Sequence, residues 1–410
     1  MIMQHIPKLV ISSFFFLIFS YSFSQSKHST ERTRKSVHAK AFLNENEKND
    51  NRVIELGNSI QNAILESDID TFMSFFDTNS FGELIVANID EDLATKQFRN
   101  GFLKGIKSNI SAIPKKMIAE VEADSYYDFV NYRYENDTKA YYMLFRIYSP
   151  ETGINYHDYK VSQLDEKLIF KDIYIYLSGE ELSKTFQRFY LYSLPKKSLL
   201  DFFDENNADE FLTMVEAVNL YNKGEFIKAH NKFNQIKGDV KNDKFVLIIK
   251  TICASNVSDD EYQKAMKAIS DAYPNDSSLY LSQIDYHIMN KNYDTALTLL
   301  EKLQNDTSDD FLELLKGNLE FERKNYDKAL GYFKNISDNY PDFFEGHSSY
   351  LSCLSVKKDF EACITFLSFL VDEGYIKKDL IEFIEVLDDN GENALEDLAT
   401  SELYANWKIE

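Results

Sequence analysis

The chain has 410 residues, 44% of them hydrophobic, with 32 Phe and 26 Tyr but one Trp, six Pro and 13 Gly. That apolar mass suffices for two or three globular domains and excludes a low-complexity or loop-dominated chain. The formal net charge of −22 argues against nucleic-acid binding, because so acidic a chain has no surplus of Lys and Arg to release phosphate counterions. The three cysteines, Cys253, Cys353 and Cys363, exclude a fully paired disulfide framework. Buried thiols or a Cys353–Cys363 bridge both remain open.

Lys8 precedes an almost wholly apolar run, Leu9 to Phe19, and Ser22-Phe23-Ser24 follows before Gln25. This is the three-part layout of a secretory signal peptide, and the run is shorter than the ~20 residues a membrane-spanning helix needs. The expectation is a signal over residues 1–24 and an exported chain, periplasmic or extracellular, of a bacterium, with no stable membrane span. Residues 25–51 hold Lys27, Arg32, Arg34, Lys35 and Lys40, then Glu45, Glu47 and Asp50, among few large apolar groups. Such a segment predicts a disordered tether.

An α+β domain is predicted over 52–200. Val53, Ile54, Leu56, Ile60, Ala63 and Ile64 recur at helical spacing, Ile69 to Phe76 reads as a second helix, and Asp90 can cap a third that carries Leu93, Phe98, Phe102, Leu103 and Ile106. After Pro114 the period becomes two: Met117, Ala119, Val121 and Ala123 alternate with polar partners. Further strands are expected at Tyr126–Tyr134, Ala140–Tyr148, Ile154–Val161 and Leu168–Leu177, with short connections that imply an antiparallel meander. Ser178-Gly179-Glu180-Glu181 reads as a capping box opening a helix to about Tyr192. Helices followed by a curved meander resemble the cone-shaped NTF2-like fold. The resemblance implies a pocket between sheet and helices, with His157, Tyr159 and Asp172 as polar groups that would face it; the alternative puts His157 and Tyr159 on a solvated strand face.

The second half repeats. An aromatic residue precedes a small one by three positions in Phe226/Ala229, Tyr262/Ala265, Tyr293/Ala296, Tyr326/Ala329 and Phe360/Cys363, and successive small residues are 36, 31, 33 and 34 apart. Phe233, Ile269, Leu300, Phe333 and Leu367 follow four later, on the same helix face. Lys223-Gly224-Glu225, Lys291-Asn292, Lys324-Asn325 and Lys357-Lys358-Asp359 separate paired helical patterns. In the fourth unit Gly317 stands twelve before Ala329 and Pro341 twelve after it. Ile284 and Leu351, at the position equivalent to Gly317, predict that units three and five splay. The second unit ends early, at Pro274. This pattern resembles the tetratricopeptide repeat, over 209–375 in about five units, with capping helices over 376–410.

That resemblance implies a helical solenoid with a concave groove made by the first helix of each pair, suited to protein–protein interaction. Carried onto this chain, the groove positions that would contact a partner include Tyr221, Asn222, Lys250, Asp285, Met289, Asn318, Phe321 and Glu322. The flanking positions Met214, Val218, Leu247, Ala254, Leu281, Phe311, Leu314, Val257 and Val356 give it an apolar floor, with Ser348 and Ser352 as further groove positions. The basic carboxylate clamp of chaperone-binding relatives is not matched. The sequence holds no HExxH, paired Cys-x-x-Cys, phosphate-binding glycine loop or nucleophile elbow. No catalytic residue, metal or cofactor is therefore expected, and the reading is an exported scaffold that binds another protein or peptide. A small-ligand or hydrolase/isomerase-type site in the first domain is the alternative.

Overall fold

The computed structural model describes residues 43–89, 93–150, 153–194, 208–238, 240–274, 276–387, 393 and 395–409. The expected signal peptide, most of the tether and Asp90 lie outside them, as does the expected domain boundary near 200.

Helix α1 (Glu47–Leu65) begins inside the stretch expected to be a disordered tether. Asn46 caps it, its side chain accepting from the Asn49 N–H at 3.0 Å. The Asn46 N–H donates to the Tyr141 hydroxyl (3.1 Å), and that hydroxyl donates to Asp50 (2.6 Å). Leu43 is already buried, so the ordered chain starts earlier than expected. Four helices follow: α2 (Ile69–Ser74), α3 (Thr78–Ile85), α4 (Lys96–Asn109) and α5 (Ala112–Glu122). Thr95 caps α4, accepting from the Phe98 N–H at 3.2 Å. Helix α5 replaces the strand expected at Met117–Ala123. Ile113 and Met117, one turn apart, are both buried, and Pro114 sits in the first turn, where its missing N–H costs nothing.

Strands β1 (Tyr126–Glu135), β2 (Ala140–Ser149), β3 (Gly153–Leu164), β4 (Lys167–Ile175) and β5 (Glu180–Glu181) form an antiparallel meander in chain order. Register shifts at Phe129/Asn131 and Lys160/Val161 are the bulges by which a sheet bends. Tyr127, Phe129, Phe145, Tyr159 and Phe170 share the face that meets the helices. Phe170 stacks on Phe76 at 4.6 Å and meets Phe72 edge-on at 5.4 Å. At Gly57 a Cβ would come within 2.6 Å of the Phe129 ring, so only glycine lets α1 lie this close to the sheet. Helix α6 (Leu182–Tyr192) sets Phe186 against Phe81 at 5.6 Å. Its opening is not a capping box: Glu180 and Glu181 pair with β4, and Asp172 accepts from the Ser183 N–H instead (3.0 Å).

The rest of the chain is helical: α7 (Ala208–Asn222), α8 (Phe226–Phe233), α9 (Lys244–Ser255), α10 (Asp259–Ala272), α11 (Tyr280–Met289), α12 (Tyr293–Thr307), α13 (Glu313–Glu322), α14 (Tyr326–Asn339), α15 (Phe344–Val356), α16 (Phe360–Asp372), α17 (Lys377–Glu385), α18 (Glu396–Ala399) and α19 (Glu402–Ile409). The described chain forms two compact units, residues 43–286 and 287–409, divided within α11. In the amino-terminal unit one continuous core runs from Leu43 through the sheet to Leu279. In the carboxy-terminal unit a core joins Leu351, Cys363, Leu367 and Leu370 to Leu380, Tyr404 and Trp407 of the last helices.

Four first helices end alike. Gly224, Lys291, Lys324 and Lys358 take left-handed φ values of 76°, 57°, 62° and 61°. At each, the next N–H reaches back five residues: Glu225 to Leu220 (3.0 Å), Asn292 to His287 (2.8 Å), Asn325 to Glu320 (2.8 Å) and Asp359 to Leu354 (3.1 Å). The left-handed residue itself bonds three back, to Tyr221, Ile288, Phe321 and Ser355 (2.8–2.9 Å). This pair of bonds is a Schellman ending. The turn after α9 differs: Ser258 caps α10 through its side chain, accepting from the Glu261 N–H at 3.2 Å.

Helix crossing follows side-chain size. A Cβ on Gly317 would lie 2.5 Å from the Phe333 ring, and α13 and α14 lie close together along much of their length. Helices α15 and α16, with Leu351 at the equivalent position, approach each other far less. Ala229, Ala265, Ala296, Ala329 and Cys363 are all buried. The three cysteines are buried and unbridged, and burial raises the Cys253 thiol to about 12.

Candidate functional site

The predicted groove positions divide by depth. Tyr221 is only 2% exposed, meets Phe226 edge-on at 5.9 Å, and burial raises its hydroxyl far above the usual value. Asp285 is 1% exposed and accepts from the Tyr262 hydroxyl at 2.5 Å. Neither can be touched by a partner, so both are corrected here to packing residues. Met214, Val218, Leu247, Ala254, Leu281, Phe311, Leu314, Ser348 and Ser352 are buried too, which removes most of the expected apolar floor. The family positions carried over assume an open concave side, and sequence spacing does not report what packs against it.

The remaining positions are accessible. Lys250 is half-buried, and burial lowers its pKa against the opposing pull of Glu261. Nearby His230 lies 3.6 Å from Glu261, its pKa also lowered by burial. Met289 and Asn318 are half-buried and Glu322 is exposed. Phe321 is half-buried and packs one side against Tyr326 (5.2 Å) and Phe333 (6.4 Å). Val257 and Val356 are exposed. The Asn222 side chain lies outside the described set. Every accessible position except Lys250 and Asn318 stands in the last turn of its first helix or just beyond it.

In the first domain the three polar candidates do not form one site. His157 and Tyr159 lie on the helix-covered face, fully buried. Tyr159 and Tyr127 share a hydrogen bond of 2.8 Å, and Tyr159 reaches the Met117 sulfur at 3.6 Å. Burial, with Lys116 nearby, lowers His157 to about 3, which leaves a neutral imidazole. Asp172 instead joins β4 to α6: Oδ1 accepts from the Ser183 and Ile173 N–H groups, and Oδ2 from the Ser183 hydroxyl at 2.5 Å. Its acceptor capacity is spent on structure, although burial raises its pKa to about 6.

Sequence reasoning missed a cleft in the carboxy-terminal unit. It measures about 470 Å³ and is lined by Ser337 and Asp338 at the end of α14, Pro341 and Asp342 in the turn, His347 on α15, and Phe369, Leu370, Glu373, Gly374 and Tyr375 at the end of α16. The Pro341 carbonyl can only accept, so His347 donates to it from Nε2 at 2.9 Å. Nδ1 of that ring faces the Ser337 hydroxyl at 2.7 Å, and the Tyr375 hydroxyl donates to the same carbonyl at 3.0 Å. Residues more than thirty positions apart build this cleft, and no motif marks it.

Among the described residues no three His, Cys, Asp or Glu side chains are grouped as metal ligands, and no helix is long and apolar enough to cross a membrane. No family, curated protein or solved structure matches the chain.

Proposed function

We propose that this chain is an exported scaffold of the tetratricopeptide-repeat type, fused to an NTF2-like domain, and that it holds another protein or peptide. The observation that carries the reading is the recurrence of one Schellman ending at Gly224, Lys291, Lys324 and Lys358. The same two bonds also end α1 at Ser67, α5 at Asp124 and α16 at Gly374, so the support comes from the placement of these four at intervals that are multiples of about 34 residues. Such units gain stability by packing on their neighbours, since each alone cannot offset an ordering cost of ~1–2 kcal/mol per residue.

The contact surface of this reading is narrower than a full groove. In the carboxy-terminal unit it lies towards the ends of the first helices, at Met289, Asn318, Phe321, Glu322 and Val356; Lys250 and Val257 are accessible positions of the amino-terminal unit. Affinity capture by the full chain from envelope extracts of its own organism tests it. Asn318→Ala with Glu322→Ala is expected to lose a partner that the unchanged chain retains, at an unaltered melting temperature. Retention of the same partner by this variant contradicts the proposed surface.

A further inference from the structure

The cleft in the carboxy-terminal unit lies at the opposite hairpin end from Glu322. The 14 residues of α14 separate the two by about 20 Å at ~1.5 Å per residue. It is thus distinct from the surface proposed above.

Its three parts differ in chemistry. The floor is polar but satisfied, since Ser337 bonds to His347, and His347 and Tyr375 both donate to the Pro341 carbonyl. One wall is apolar and open: Phe369 is 49% exposed beside Leu370. The rim is acidic. Lys334 answers Asp338 at 2.6 Å, whereas the exposed carboxylates of Asp342 and Glu373 have no Lys or Arg bridged to them among the described residues. Gly374, at φ 104°, has nothing within 4 Å of where a Cβ would stand, which keeps this edge open. The volume of about 470 Å³ falls within the ~300–1,000 Å³ of sites that enclose small ligands.

We propose that this cleft takes a cationic side chain, arginine above all, from a segment of a partner. The aliphatic stem lies on the exposed ring of Phe369, and the charge sits between Asp342 and Glu373. An anion meets three carboxylates there, and a neutral apolar group leaves two of them unanswered. The cation with an apolar stem is the chemistry that satisfies both wall and rim.

Saturation-transfer NMR on the full chain tests this with Nα-acetyl-arginine amide and its uncharged isostere Nα-acetyl-citrulline amide. Saturation of the arginine methylenes is expected to exceed that of citrulline about fivefold, the worth of two partly exposed ion pairs. Asp342→Asn with Glu373→Gln should bring arginine down to the citrulline level, and Phe369→Ala should weaken both. These side chains are exposed, so the variants should keep the melting curve of the parent. Equal transfer from the two compounds, no transfer from arginine, or an unchanged arginine signal in the double variant overturns the proposal. Capture through Asn318 and Glu322 is unaffected by any of these results, so the two readings fail separately.

Discussion

In the sheet region the strongest polar contacts join distant parts of the chain: Tyr141 to Asp50, Phe129 to Gln61, Arg133 to Asp158, Asp172 to Ser183. In the helical hairpins the defining contacts are local and recur at a regular spacing, with the same backbone bonds closing four of the turns and a small residue, Gly317, setting the close crossing of α13 and α14. The first region depends on single ties that nothing duplicates. The second depends on a rule applied several times, and it loses regularity where a residue breaks the rule, as at Leu351. The proposed function follows the same division. The sheet region spends its polar groups on holding itself together, while the hairpins leave side chains to spare at their ends.

The sheet tie with the largest expected effect is Asp172. Burial raises it from 3.8 to about 6, so the folded protein holds this proton more tightly than the unfolded chain does. Between about pH 4 and 6 the folded form binds a proton that the unfolded form has released, and stability falls as pH rises through that window. At most ~3 kcal/mol is involved, at about 1.4 kcal/mol per pKa unit. Asp172→Asn, which mimics the protonated acid, is expected to gain on the parent by about that amount between pH 4 and 7 in urea unfolding. A gap that does not change with pH removes Asp172 from this role.

The crossing in the fourth hairpin comes next. Gly317→Ala should cost ~1–3 kcal/mol from overpacking against Phe333, less the ~1 kcal/mol that Ala gains in a helix. Gly331, on α14, has nothing within 4 Å of its Cβ position, so Gly331→Ala should stabilise by that ~1 kcal/mol. The same substitution thus has opposite signs in one hairpin. Thermal melts that shift the same way for both contradict the close crossing. The smallest effect belongs to the turns. Lys324 is exposed and left-handed, so Lys324→Gly should relieve ~1 kcal/mol of backbone strain. Lys291→Gly and Lys358→Gly should do the same, since the three turns share one geometry. A loss of stability at any of them sets that turn apart from the others.

The sequence made β1, β2 and β4 legible within two residues and β3 within three, because aromatic and β-branched runs bounded by turn residues mark strands, although β2 and β3 are buried on both faces. The hairpin turns were legible because Gly and Asn beside Lys mark a helix end. Helix α5 was not, because Met117, Ala119, Val121 and Ala123 alternate by composition while the decisive pair is Ile113 and Met117. Helix α3 (Thr78–Ile85) also went unread, although Asp77 caps it by accepting from the Asn79 and Ser80 N–H groups. Of the eight groove residues, Tyr221 and Asp285 failed for a different reason. Their helix face is set by period, but what covers that face is tertiary. The cleft brings together two turns separated by a whole hairpin, so its carboxylates look in the sequence like any other solvated acids.

The central claim is that the first helices present their final turns to a partner. Photo-crosslinking tests it most directly, with benzoylphenylalanine placed at 289, 322 or 356 in the full chain, and at the exposed position 301 on α12 as the control. The account predicts one discrete cross-linked species from the first three positions and none from 301. Indistinguishable cross-linking from all four, or none from any, contradicts it.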